Sequence, residues 1–423
     1  MRKLIASLSI LSLMVAPSLM GMSGAHAAGA AGWSGEKLLS GIYDSWEPEV
    51  AADPSSSYVY VMYNRFDSPQ LCPRCPYVPM VVQASPDGGA TWGDPVYVCE
   101  CRHTQTQYDP SILVTSSGDL YATWLSDGNT DFSKSQDHGQ SWSKPIPLSP
   151  NRWTDHGSIG ASADGRNVYV MWAQGDAWET HSHDFGATWS TPVQVTHRNH
   201  FFYYPEGISV LSDGSVVLGM SAYRCGKGSV NCAGPINISV LRSTNGGRSY
   251  TEDIIDKLFL GVDFSTSSLT TIGNDAARNL VVMYTGALTE GANSEVWVRS
   301  SSDEGVSWSS PLELGQGPSV NSGFPSIAGS GTGDFKAIYM DERTGHWNVW
   351  YRSSIDGGAT WSADVRLSDA RTGAPYVFRN GFGNPYGDYQ SIDVNASGQA
   401  IAAFGEAPTW DGPGGIWVTT QSL

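Results

Sequence analysis

Acids, a histidine and tyrosines recur at one kind of position in this chain, the polar step just before a short apolar run. They are Glu47, Asp109, Asp155, His156, Tyr204, Glu206, Asp263, Asp388 and Tyr389. A second set stands just beyond the next apolar run: Arg65, Asp127, Arg224, Asp341, Arg343 and Glu406. Several chemistries are open to such a set. Two carboxyls about 5–10 Å apart suit hydrolysis of a glycosidic bond. A histidine and a tyrosine flanking an arginine suit a lyase. Acids that are scattered and bonded to one another only bind. A cluster of carboxylates and carbonyls would hold Ca2+, although no ion-binding loop motif is visible. The choice depends on which elements bring these side chains together.

Those elements are repeats. The phrase Ser-x-Asp-x-Gly-x-Thr-Trp appears at Ser85–Trp92 and returns at 135–142, 182–189, 301–308 and 354–361, with a degenerate copy at 243–250. Six copies at intervals near the length of a four-stranded unit point to a repeat architecture. Each lies between two strand-like runs, as a hairpin turn does. Its Asp accepts turn amides, its Gly takes positive φ, and its Trp packs on the neighbouring unit. These aspartates are therefore read as structural. Unit openings fall near Glu47, Asp109, His156, Glu206, Thr266, Phe324 and Tyr389, seven against six turn motifs. The segment Trp33-Ser34-Gly35-Glu36-Lys37-Leu38-Leu39-Ser40 resembles Trp361–Ser368, which follows a motif. The N-terminal segment is thus expected to supply the outer strand of the last unit, which removes a sheet edge.

The turn phrase is that of the Asp-box, or bacterial neuraminidase repeat, and the chain resembles the sialidase-like β-propeller superfamily over residues 28–423. The resemblance implies an all-β fold. It is expected as one domain of seven four-stranded antiparallel blades, with six blades as the alternative. In such a ring the loops into the innermost strands and those after the second strands meet at one mouth. Sialidases hydrolyse with retention, through a tyrosine nucleophile, a glutamate base, an aspartate acid/base and an arginine triad. Glu206 to Gly214, running on to Arg224, resembles the segment carrying the glutamate and second arginine. Arg343 is placed like the third arginine, Asp388-Tyr389 like the nucleophile segment, and Glu406 like the glutamate that steadies the first arginine. Where sialidases place their first arginine, this chain has Trp46-Glu47-Pro48-Glu49-Val50. Arg65 lies on the same blade, and Asp67 is the candidate acid/base.

The resulting expectation is a carbohydrate-active, sialidase-like glycoside hydrolase, to be tested at Glu206, Asp109 and Tyr389, with Arg224 and Arg343 binding substrate. One alternative is a lyase of uronate-containing polymers using His156, Tyr204 and Arg224. The other is a propeller that only binds glycan or protein. No cofactor is expected to be required, with Ca2+ the one candidate. The formal charge of −17 argues against nucleic acid as a partner. Arg2 and Lys3, the apolar run from Leu4 to Val15 and Ala25-His26-Ala27 read as a secretory signal over 1–27. No later run is long enough to span a bilayer. Export makes disulfides expected among the six cysteines. Cys225 and Cys232 bracket one loop and are expected to pair. Cys72, Cys75, Cys99 and Cys101 form either two disulfides or a zinc site.

Overall fold

Seven apolar runs, rich in β-branched and aromatic residues, are buried on both faces and so form the strands sandwiched between neighbouring sheets. In the first, Val59, Tyr60, Val61, Met62 and Tyr63 are all fully buried. The computed structural model describes residues 30–66, 72, 74–101, 106–149, 153–197, 201–224, 234–262, 269–369, 389–406 and 414–422. The expected signal over 1–27, and Asp67, Asp263, Asp388, Cys225 and Cys232, lie outside them. Among the described residues no helix is long and apolar enough to cross a membrane.

Each run is the second strand of a four-stranded antiparallel blade, and there are seven blades. Numbered in chain order, their innermost strands are Ser45–Ala52, Gln107–Val114, Asp155–Ala161, Phe201–Val210, Thr270–Asn274, Ser322–Gly329 and Ser391–Val394. Innermost strands of consecutive blades pack side by side, and that of blade 7 packs on that of blade 1, closing a ring. Blade 7 takes its outer strand, Lys37–Leu38, from the N-terminal segment, which pairs antiparallel with Gly415–Thr420. Leu39 N–H donates to Ile416 O at 2.7 Å, and Trp33 meets Tyr351 edge-on at 4.8 Å. The expected closure is thus present.

The repeated turns explain how the blades interlock. Asp87 accepts the Thr91 N–H and hydroxyl, each at 2.7 Å. Asp137, Asp184, Asp303 and Asp356 repeat this with Ser141, Thr188, Ser307 and Thr360. These hydroxyl donors hold Asp184 and Asp303 down at about 2. Trp189 packs edge-on against Phe132 of the preceding blade, and Trp142 and Trp92 pack on clusters that join blade 2 to blade 1 and blade 1 to blade 7. Cys72 is bonded to Cys75, and Cys99 to Cys101. Two disulfides therefore stand in place of the zinc alternative.

Candidate functional site

Five innermost strands break their register at the mouth, between Trp46 and Glu49, Tyr108 and Ser111, Asp155 and Ser158, Glu206 and Ile208, and Gly323 and Ser326. The bulged residues take positive φ: Glu47 57°, Asp109 53°, His156 42°, Gly207 82° and Phe324 53°. Left-handed backbone costs a non-glycine residue about 1–3 kcal/mol, and bulges re-aim side chains beside functional sites. Here they turn Glu47, Asp109 and His156 toward the next blade.

Two of these carboxylates clasp neighbouring blades. Glu47 accepts the Asp109 N–H and the Asn64 amide, both at 2.9 Å. Asp109 in turn accepts the His156 N–H at 3.3 Å. Glu206 does the same from blade 4, taking the Thr270 N–H of blade 5 at 3.0 Å. Deeper in the ring, burial pushes Glu49 well above the usual carboxylate range, and Glu206 and Asp393 add to the effect. Burial raises Asp155 too. The mouth is therefore strongly acidic, and burial favours the neutral form of Glu49 and Asp155.

His156, Tyr204 and Tyr389 come together from blades 3, 4 and 7. The imidazole lies 5.1 Å from the Tyr204 ring and 4.9 Å from the Tyr389 ring, centroid to centroid. The two tyrosine hydroxyls hydrogen-bond to each other. His156 is 6% exposed, and its Nδ1 is buried with no hydrogen-bond partner. Burial pushes its pKa down to about 3, so the ring is neutral at ordinary pH. A neutral imidazole has one N–H and one acceptor nitrogen, so Nδ1 is an unmet donor or an unmet acceptor according to the tautomer.

The arginines have different surroundings. Arg224 ends the second strand of blade 4 at the rim and is exposed. Arg65 is 3% exposed, with its guanidinium 4.2 Å above the Tyr43 ring. Arg343 is held by Asp341 and by Asp364 at 2.5 Å, over the Trp350 ring at 3.8 Å. Burial opposes its charge, but these carboxylates outweigh burial and raise its pKa. Asp127 anchors the mouth of blade 2, accepting the Thr106 N–H at 3.1 Å. Glu406 lies against Glu36 and Asp369, where burial and the two carboxylates raise it well above the usual range.

Two groups of aromatics were not singled out from the sequence. Trp46, Phe66 and Tyr108 form a half-buried wall over blades 1 and 2, with Trp46 and Phe66 centroids 4.1 Å apart and Phe66 and Tyr108 6.2 Å apart. Trp153, at the opening of blade 3, is 87% exposed with φ 76°. Position was the available signal: Trp46 and Tyr108 each precede a bulged acid.

No protein-family model matches the chain, and no curated protein matches it. Solved structures do. A polysaccharide lyase described as PL25-ulvan lyase, bound to -[GlcA(1-4)Rha3S]-, is 11% identical, with 90% of this chain and 95% of that one covered and a TM-score of 0.56. A protein of unknown function from Dyadobacter fermentans is 12% identical, with 92% and 99% covered and a TM-score of 0.51. A leech intramolecular trans-sialidase is 12% identical, with 93% and 69% covered and a TM-score of 0.46. At these identities the likeness is one of fold, a seven-bladed β-propeller of four-stranded blades.

Proposed function

We propose that the mouth catalyses β-elimination on a uronate-containing polysaccharide outside the cell. One observation carries the reading: a neutral His156, whose buried Nδ1 meets no partner among the described residues, packed against two tyrosines whose hydroxyls are joined. In such a reaction a base removes the proton beside the uronate carboxylate. The ring C–C double bond forms, the bond to the glycosidic oxygen breaks, and that oxygen takes a proton. His156 Nδ1 is the acceptor in this reading, and a tyrosine hydroxyl protonates the leaving oxygen. Arg224, exposed at the rim, neutralises the carboxylate so that the carbanion is tolerable. A bound anion would also raise the His156 pKa, making it a stronger base when substrate is present. The ulvan lyase sharing this fold was solved with a GlcA-containing ligand, which is in keeping with the proposal.

A second reading, retaining glycoside hydrolysis with Tyr389 as nucleophile and Glu206 as base, rests on another observation. Tyr204 and Glu206 are two residues apart on one strand, and Tyr204 touches Tyr389. The test is a product-resolved assay on uronate polymers and sialosides, following reducing ends and the ultraviolet absorbance of unsaturated uronates together. Elimination gives both signals, and Tyr389→Phe and His156→Asn each lower kcat by about 10²–10⁴-fold. Reducing ends without the absorbance, abolished in Glu206→Gln, overturn the lyase in favour of the hydrolase. Neither signal, with glycan binding retained, overturns both.

A further inference from the structure

We propose that Glu36, Asp369 and Glu406 bind a divalent cation, Ca2+ by the chemistry of the donors, at the seam where the ring closes. The three carboxylates come from separate segments: the N-terminal segment before the closing strand, the exit of blade 6, and the end of the second strand of blade 7. One oxygen of each lies within 4.8 Å of the others. Ca2+ sits about 2.3–2.6 Å from its oxygens, so ligands on opposite sides of the ion are about 5 Å apart. The triad lies within that span.

The second observation is an oxygen with nothing to bind. Glu406 is 9% exposed, and its Oε2 is buried with no hydrogen-bond partner among the described residues. Other buried carboxylates among the described residues meet donors, although Glu295, beside Glu313, also leaves one oxygen unmet. Asp393 takes the Ala52 N–H at 2.8 Å, and Glu47 takes two N–H groups. Glu406 instead faces another carboxyl, that of Glu36, itself 6% exposed. The two carboxyls hydrogen-bond to each other and Arg366 offsets part of their repulsion, but burial and the neighbouring carboxylates outweigh it, so a further cation would stabilise the cluster. The set holds oxygen donors and no histidine or cysteine, which suits a hard cation over a transition metal. Backbone carbonyls and water would complete the shell. An ion here would join the N-terminal segment to blades 6 and 7, the two sheets between which the chain shuts its ring.

Thermal unfolding of the chelator-treated mature chain, titrated with Ca2+ in the absence of any glycan, tests this apart from the catalytic reading. The parent should show a saturable rise in Tm of roughly 3 °C at a hundredfold excess over Kd. Glu406→Gln and Asp369→Asn should each lose the rise. Without the ion, Glu406→Gln should unfold no lower than the parent, because a like charge has been removed. A parent Tm unmoved by Ca2+, or an equal rise in both variants, overturns the proposal.

Discussion

Arg343 shows how one side chain can fill a place that sequence reserves for substrate. Its guanidinium is shared between Asp341, whose side chain is fully buried, and Asp364 beside the outer strand of blade 6. Removing one partner of such a pair strands a buried charge and costs about 3–5 kcal/mol. Arg343→Met should therefore lower the urea unfolding free energy by about that amount. In whatever glycan assay the protein supports, KM for the folded variant should stay near that of the parent. A large KM increase with unchanged stability would instead make Arg343 a ligand of the substrate. The position of Arg343 after its strand was legible in the sequence. Its commitment was not, because Asp364 lies beyond a whole strand and turn, and no local pattern reports that contact.

At the scale of elements, the seven unit openings, one more than the six repeated turn phrases, were enough to count blades. The likeness of Trp33–Ser40 to Trp361–Ser368 was enough to place the closing strand, because identical roles in a ring demand similar residues. Trp33 is the anchor of that closure, 6% exposed and edge-on to Tyr351 of blade 6. Trp33→Ala removes a large buried ring and should cost about 3–5 kcal/mol. It should also make the N-terminal segment the first site of limited proteolysis. An unchanged unfolding midpoint together with an unchanged cleavage pattern would mean that the closing strand holds without its anchor. The bulges were not legible. Nothing in backbone propensity sends Glu47 or Asp109 into left-handed φ, least of all before Pro48 and Pro110. The ring forces that conformation, since seven innermost strands must converge and still satisfy one another's N–H groups. For this reason the sequence placed His156, Tyr204 and Tyr389 at the mouth without showing that they touch.

For the molecule as a whole, the acids that the ring buries should set its response to pH. Asp131 and Asp393 are pushed up to about 6 and Glu295 to about 7, in each case first by burial. A carboxyl with a raised folded pKa holds its proton where the unfolded chain has lost it. Stability then falls as pH rises from the unfolded pKa, about 4, through the folded one, and levels off above it. His156 works the other way. Its folded pKa of about 3 lies below the ordinary 6.5 of a histidine, so its contribution is lost as pH falls through that interval. The raised acids outnumber it between about pH 5 and pH 7. Below about pH 4 a further loss begins, because the repeated turns hold their aspartates down, to about 2 at Asp184 and Asp303. Chelator-treated protein, with no bound cation to intervene, should therefore show its highest Tm near about pH 5 and lose several degrees by about pH 7.5. Asp393→Asn should flatten part of that decline, since Asn keeps an acceptor for the Ala52 N–H without the charge. A Tm that climbs steadily from about pH 5 to neutrality would show that the buried carboxyls are already compensated, and that the acidity of the mouth leaves no cost in the folded state.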